Sequence, residues 1–322
     1  MGRMSDADLP AEFALIARHF GPLAGPGALG LGDDAACLAP PPGRELVLTV
    51  DAMIGGVHFL PDDPPDLVGR KLLRVNLSDL AAKGAVPIGY LLTVAASRDT
   101  PDAWFAGFAA GLARDQAEFG ATLLGGDTTS TPGPVALSLT AIGHVAPGTM
   151  VHRAGARPGD GVWVTGTIGD GALGLAVAKG QLADPSGFLL QRYRLPQPRL
   201  GLAIAGIASA GMDVSDGLVQ DLGHICRAGS LTAEIDAALV PLSEPARRAG
   251  ADWLPTVLSG GDDYELLLAV PPARETQLRD AARGAGVAVT RIGSFRTGPP
   301  RVSVRGPDRQ PMAFARRGWS HF

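Results

Sequence analysis

Cysteine, excess positive charge and long apolar runs are all scarce in this chain, and each scarcity excludes something. The only thiols are Cys37 and Cys226, far apart and without clustered histidines at metal spacing. That rules out a disulfide framework or a zinc ribbon and fits a reducing, cytoplasmic setting. Each thiol is most simply a small buried apolar side chain. Over 322 residues, 28 Lys and Arg stand against 32 Asp and Glu, a formal net charge of −4. With no basic stripe either, nucleic acid is excluded as a partner that bulk charge would attract. A negatively charged ligand needs local neutralisation here. The N-terminus, with Gly2, Arg3, Asp6 and Asp8, has no apolar signal core, and the longest apolar runs, such as Ala85–Ala96, are interrupted by Pro87 and too short to span a bilayer. No membrane role is expected.

Several catalytic signatures are missing too. No Gly-x-x-x-x-Gly-Lys-Ser/Thr loop occurs, and Gly55-Gly56 is not followed by lysine. A protein-kinase catalytic loop and a convincing dinucleotide fingerprint are also lacking. An EF-hand fits poorly, because Gly217 falls one position too early after Asp213 and no loop-ending glutamate follows. Ser209 and Ser259 have neither a base partner nor a nucleophile-elbow pattern, so covalent catalysis is unsupported.

What is present is ordinary globular composition, 46% hydrophobic and 19% charged, with room for two domains at ~100–200 residues each. The 44 glycines and 27 prolines are scattered between periodic segments and mark turns. Helical spacing after Asp8-Leu-Pro10, through Phe13, Ile16, Ala17 and Phe20, predicts a first helix ending near Gly21. Gly30-Leu-Gly-Asp-Asp-Ala-Ala36 reads as a loop. A strand is predicted over 45–50, ending in Asp51. A helix follows over 66–83, then a strand over 88–96, a helix over 101–119, a short strand over 121–124 running into Gly125-Gly126-Asp127, and a strand over 135–145. The domain boundary is placed near 147–159, giving domains 1–150 and 151–322. The second half reads as a strand over 162–165, helical segments over 172–179, 188–194, 199–209 and 217–227, a strand over 231–235, a strand over 266–270, a helix near 274–284 and a strand over 287–295. Mixed strands and helices in each half predict two α/β or α+β layers.

The chemistry-bearing residues are acids in glycine-flanked loops or at element ends: Asp33, Asp34, Asp51, Asp79, Asp127, Asp213, Asp216, Asp262 and Asp263. Asn76 and Asp79 share a helix face. Asp213-Val-Ser-Asp-Gly-Leu-Val-Gln-Asp221 has two readings: a helix start with Ser215 or Asp216 as N-cap, or carboxylates and a hydroxyl offered to a phosphate-bearing magnesium. Gly-Gly-Asp at Gly125–Asp127 and Gly260–Asp262, read as strand ends, would let amides approach an oxyanion while the carboxylate holds a hard cation. Magnesium takes only one or two carboxylates, so these acids imply several ions. A carboxylate cluster repels ATP unless divalent cations stand between them. Three further residues keep open readings: His58 as a phosphate contact or a loop histidine, Arg153 as a phosphate partner or a surface arginine, and Trp319 as cover for an aromatic ring or as tail packing.

Six segments in order, Gly32-Asp-Asp-Ala35, Asp51 through His58-Phe59, Asn76-Leu-Ser-Asp-Leu-Ala-Ala82, Gly125-Gly-Asp-Thr-Thr129, Asp213-Val-Ser-Asp-Gly-Leu218 and Ser259-Gly-Gly-Asp-Asp-Tyr-Glu-Leu266, resemble the motifs of thiamine-monophosphate kinase. One alone is weak; six in register, continuing to Gly318-Trp-Ser-His-Phe322, span essentially the whole chain. The resemblance implies the superfamily of aminoimidazole ribonucleotide synthetase, selenophosphate synthetase and the hydrogenase maturation factor HypE. It implies a two-domain α/β fold in which an N-terminal sheet-and-helix domain pairs across a homodimer, with ATP in a cleft between domains. It further implies magnesium-dependent phosphorylation of thiamine monophosphate by ATP to thiamine diphosphate. The reactive Cys or Sec segment of selenophosphate synthetase is not seen. Family metal positions fall on Asp34, Thr49, Val50, Asp51, Asp79, Asp127, Asp213 and Asp216; nucleotide contacts on Gly126, Asp127, Arg153 and Ser215; substrate contacts on His58, Asp262 and Trp319; and the centre of the chemistry on Asp51, Asp127 and Asp216. Three departures matter: Val50 can offer a metal only its carbonyl, Asp262 replaces the usual glutamate, and the terminal aromatic is tryptophan. Rival expectations are another ATP-dependent synthetase of the superfamily or a nucleotide sensor without turnover.

Overall fold

A computed structural model describes residues 10–321. Asp8 and Leu9 of the predicted first helix, the N-terminal stretch read for a signal core, and Phe322 lie outside the described residues. The chain divides into two compact units, residues 10–80 with 86–146, and Ala81–Ala85 with 147–321. Among the described residues no helix is long and apolar enough to cross a membrane.

The first unit contains α1 (Ala11–Leu15, prolonged by a π-helical turn over Ile16–Phe20), β1 (Glu45–Ile54), α2 (Pro65–Ala82), β2 (Val86–Ala96), α3 (Asp102–Phe119), β3 (Thr122–Ser130) and β4 (Ala136–Val145). Its sheet runs β1-β4-β2-β3, antiparallel except for β2 with β3. On β4, buried Leu137, Leu139, Ala141 and Val145 alternate with half-buried Ser138, Thr140, Ile142 and His144, the pattern of a sheet covered on one face. Two predicted strand ends need correction. β1 does not stop at Val50; it carries Asp51 onward to Ile54, paired with β4 from Glu45↔Val145 to Ile54↔Ala136. β3 likewise runs through Gly125-Gly126-Asp127, paired with Leu91, Leu92 and Thr93 of β2. Cross-strand pairing overrides the turn preference of Gly and Asp here.

Helix α2 is buried on nearly every side, not along one apolar face. Leu72, Leu73, Leu77 and Leu80 are fully buried, and so are the polar Asn76 and Ser78, with Lys71 and Arg74 almost so. Such a helix must bond its polar groups internally. Arg74 does so with Asp115 of α3 in a two-point contact, Nε to Oδ2 at 2.6 Å and Nη2 to Oδ1 at 3.0 Å. The same helices touch backbone to backbone: a Cβ on Gly111 would stand 2.0 Å from the Asp66 carbonyl oxygen. Gly111→Ala is therefore expected to destabilise the protein by about 1–3 kcal/mol through overpacking, seen as a lower urea midpoint at unchanged slope; an unshifted midpoint would show that the crossing can relax.

The second unit contains β5 (Gly161–Thr165), α4 (Asp170–Ala178), α5 (Phe188–Arg194), β6 (Ala210–Asp213), α6 (Leu218–Gly229), β7 (Leu231–Asp236), α7 (Glu244–Ala249), α8 (Leu254–Ser259), β8 (Leu266–Val270), α9 (Glu275–Gly284), β9 (Val289–Thr297) and β10 (Arg301–Arg305). Its sheet runs β10-β7-β9-β5-β8-β6, antiparallel except for β10 with β7. β5 and β8 are buried along their whole length because helices cover both faces. Val162, Val164, Leu267 and Ala269 pack with α6, while Trp163, Leu266, Leu268 and Val270 pack with α9. The helix predicted over 199–209 is absent: Pro196 and Pro198 precede it, and Gly201 and Gly206 take φ of 83° and 72°, breaking the segment into turns. Gly260–Asp262 follows the end of α8 rather than a strand.

Candidate active site

In the first unit, β1 and α2 assemble one set of acids. Thr49 Oγ1 donates a short hydrogen bond to Asp79 Oδ2. One helical turn back, Asn76 Oδ1 accepts the Asp51 N–H at 3.0 Å while its Nδ2 donates to the Leu72 carbonyl at 2.9 Å. Thr49 and Asp51 therefore lie on the covered face, against the side of α2 that carries Asn76 and Asp79. Val50 projects the other way, the residue 60% exposed, which leaves only its carbonyl for a cation. The side-chain donors Thr49, Asp51 and Asp79 are all oxygens, the set magnesium takes.

His58 sits just beyond β1. Its Nδ1 accepts the Ile54 N–H at 2.9 Å, and its carbonyl accepts from Lys71 Nζ at 3.0 Å. An accepting Nδ1 places the neutral ring's proton on Nε2, so that edge is a donor. Asp34 lies exposed in its loop, its N–H donating to Asp33 Oδ1 at 2.8 Å.

Asp127 is not brought to Asp51. β1 and β3 are opposite edges of the sheet, three inter-strand steps or roughly 14 Å apart. Asp127 is in register with Thr93 and Ser138, whereas Asp51 shares its row with Leu139 and Leu92, so their side chains leave on opposite faces. The glycine before Asp127 has a structural duty of its own: a Cβ on Gly126 would meet the Leu92 carbonyl oxygen at 1.8 Å.

The second unit gathers its predicted residues more tightly. β6 ends at the buried Asp213, and the loop that follows is fastened from three directions. From inside, Asp221 Oδ2 accepts the N–H groups of Ser215, Asp216 and Gly217 at 3.0, 3.0 and 3.1 Å. This corrects the predicted cap. The N-cap is Gly217, with no capping side chain, and Asp221 reaches back from the first turn of α6 to bind the amides that precede it. Burial first, then the neighbouring Asp216 carboxylate, pushes the Asp221 pKa up to about 7, against the pull of those amides. From the side, the Asp262 N–H donates to the Ser215 carbonyl at 2.9 Å and the Tyr264 N–H to the Val214 carbonyl at 2.8 Å. Asp262 and Tyr264 hold φ of 71° and 53° to do this, uncommon for residues with a Cβ. From the tail, the Trp319 N–H donates to the Asp216 carbonyl at 2.9 Å. Asp213, Ser215, Asp216, Asp262 and Trp319 are thus assembled at one end of α6.

Asp216, Asp221 and His224 place ligand atoms within 4.8 Å of one another, yet they make a poor three-ligand cation site. Asp221 is committed to amides, and His224 Nδ1 stands 3.1 Å from Arg227 Nη2. Burial, then Arg227, then Arg153 hold the His224 pKa below its usual value. Asp216 is the member suited to a metal.

The acids of Ser259–Leu266 divide by burial. Asp263 is fully buried and accepts the N–H groups of Gly169 and Gly171 at 2.7 and 3.0 Å at the start of α4; burial holds its pKa well above the usual carboxylate range. Buried Glu265 accepts from Thr165 Oγ1 at 2.6 Å, Arg199 Nε at 2.6 Å and Arg192 Nη2 at 3.1 Å. These two acids hold the fold; Asp262 alone is presented beside Ser215. Gln220 and Asp221 were missed as site residues, although an amide and an acid in the first turn after Ser-Asp-Gly carry the signal.

Two family models match the chain in succession. The family model described as AIR synthase related protein, N-terminal domain, matches residues 32–145, and its C-terminal counterpart matches residues 157–304. A thiamine-monophosphate kinase of Caulobacter vibrioides is 46% identical over 97% of this chain and 91% of its own length. That of Escherichia coli K12 is 39% identical over 97% and 98%. Among solved structures, a thiamine-monophosphate kinase from Stenotrophomonas maltophilia K279a superposes with a TM-score of 0.81 at 38% identity, covering 91% of this chain and 96% of its own. One described as AaThiL complexed with AMPPCP and TMP superposes at 0.76 with 30% identity, covering 100% of each.

Proposed function

The chain belongs to the thiamine-monophosphate kinase family, and from that membership we propose that it transfers the γ-phosphoryl group of ATP to thiamine monophosphate, giving ADP and thiamine diphosphate. The observation that supports this reading most is the convergence of Ser215, Asp216, Asp262 and Trp319 on the start of α6, where a nucleotide contact, a metal-suited acid and two substrate contacts meet.

The acceptor is already a phosphate with a low pKa, so the protein supplies no general base. Its task is to hold two polyanions in line and to stabilise charge as the phosphoryl group moves. Asp34, Thr49, the Val50 carbonyl, Asp51, Asp79 and Asp127 in the first unit, and Asp213 and Asp216 in the second, would hold magnesium ions. Bound there, magnesium supplies the positive charge that lets phosphates lie beside carboxylates. The Ser215 loop and Arg153 bind nucleotide, with Gly126 beside Asp127. His58 donates from Nε2 to the acceptor phosphate, Asp262 meets the substrate, and Trp319 stacks on its ring. Transfer is direct, without a phosphoenzyme. The working form is a homodimer joined through the open face of the first sheet, where Leu46, Leu48, Val50, Val86 and Leu91 stand exposed.

Incubation with ATP, thiamine monophosphate and magnesium is the deciding assay. Thiamine diphosphate and ADP should form one for one. ADP release without thiamine diphosphate would favour another synthetase of the superfamily, and nucleotide binding without turnover would favour a sensor; either sinks the kinase reading.

A further inference from the structure

We propose that Gln220 is a positioning residue that fixes Trp319 against Asp216, so that the hold on the substrate ring and the phosphate side of the site are set together. The inference rests on the kinase reading above, in which Trp319 stacks on thiamine and Asp216 serves the phosphates.

Gln220 lies in the first turn of α6. Its Nε2 donates to Asp216 Oδ2 at 3.1 Å and to the Trp319 carbonyl at 2.5 Å. A carboxylate and a carbonyl both accept, so the amide can only present its NH2 end here, and both of its hydrogens are engaged. The Trp319 N–H meanwhile donates to the Asp216 carbonyl at 2.9 Å. Trp319 is therefore held at both its backbone polar groups, its N–H by the carbonyl of Asp216 and its C=O by the side chain that also holds the Asp216 carboxylate. The approach is as close as glycine allows: a Cβ on Gly318 would lie 2.4 Å from Gln220 Cβ and 2.7 Å from its Cδ.

The indole itself is not what anchors the tail. Trp319 remains 49% exposed, and the one ring it meets among the described residues is His321, edge-on at 5.9 Å. An exposed aromatic ring on a terminal segment ordinarily samples many positions, and ordering it on binding reduces affinity. Here backbone bonds order the segment beforehand and leave the ring face available. The Asp216 loop is in turn fixed by Asp221, so Gln220 ties the tail to a rigid part of the fold.

Gln220→Met keeps the length of the side chain and removes both donors, while Gln220→Glu sets a carboxylate against the Asp216 carboxylate and a carbonyl. In Gln220→Met the KM for thiamine monophosphate should rise about tenfold, with a smaller rise in the KM for ATP through Asp216 and the melting temperature little changed, and trypsin should cut faster at Arg316 and Arg317. In Gln220→Glu, whose carboxylate would face the Asp216 carboxylate and the Trp319 carbonyl, the rise should be larger. In a Trp319→Ala background, Gln220→Met should add less than about twofold, because the two act through one contact. An unchanged KM and unchanged tryptic cleavage in Gln220→Met, or an equal effect without Trp319, overturns the brace while the kinase reading stands. If the parent chain makes no thiamine diphosphate, the kinase reading falls and the brace's part in substrate binding falls with it.

Discussion

Asp51→Asn should lower kcat/KM for thiamine monophosphate by at least about 10²-fold and leave the fold intact, and Asp127→Asn should do the same. Both replacements keep the shape of the side chain and remove its charge. The Asp51 backbone bond to Asn76 and the adjacent bond from Thr49 to Asp79 do not involve the Asp51 carboxylate, so the local link between β1 and α2 survives. Asp127 is exposed on an edge strand whose pairing runs through its backbone. What each variant loses is negative charge at its own proposed cation-holding position, and single electrostatic contributions of that kind are worth about 10²–10³-fold in rate. Steady-state kinetics at saturating magnesium, with circular dichroism melts alongside, make the comparison. Near-normal turnover in both variants would refute the metal-bridged mechanism. A melting point that collapses in Asp51→Asn would instead assign that carboxylate to the fold.

The fold class and the order of the site segments were legible because both are written locally. The helices read over 66–83 and 101–119 lie within a residue of α2 and α3, the strand read over 266–270 matches β8 to the residue, and the acidic motifs are contiguous in sequence. What escaped depends on contacts distant in the chain. Asp51 and Gly125-Gly126-Asp127 carry turn-type residues, yet β4 and β2 pair with them and keep the strands going. Asp262 and Asp263 are adjacent and identical in kind, and only burial sends one to the Ser215 loop and the other to the amides of Gly169 and Gly171. The cap of α6 was misassigned because Ser215 and Asp216 match the usual N-terminal signature, whereas the bonds come from Asp221, four to six residues further on. The wide separation of Asp51 from Asp127 was invisible for the same reason: strand order is a property of the sheet.

Asp115→Ala should destabilise the protein by about 3–5 kcal/mol, a large share of the roughly 5–15 kcal/mol that holds an ordinary domain folded. Asp115 is fully buried and Arg74 is 1% exposed. The carboxylate takes two bonds from Arg74 and a third from Arg70 Nε at 2.7 Å, joining α2 to α3. Truncation leaves two guanidinium groups sharing Glu118, which receives Arg74 at 2.8 Å and Arg70 at 3.4 Å but is 47% exposed and already engaged. The cost arises from the stranded buried cation, not from the pair as such, and that distinction is measurable. An apolar replacement of Asp115 and its fully buried partner, Arg74→Met with Asp115→Leu, removes the more deeply stranded of the two cations, leaves Arg70 to Glu118, and should lose less stability than Asp115→Ala alone. Tyr90 offers a second reporter. Burial and the Asp115 charge hold its phenol protonated well above the ordinary tyrosine range, and its hydroxyl donates to Gln116 Oε1 at 2.7 Å. Urea unfolding of the parent, the single variant and the double variant decides the matter. A double variant as unstable as Asp115→Ala would mean that the ion pair contributes net stability at this crossing, and an Asp115→Ala midpoint equal to the parent's would mean that the helices hold together without it.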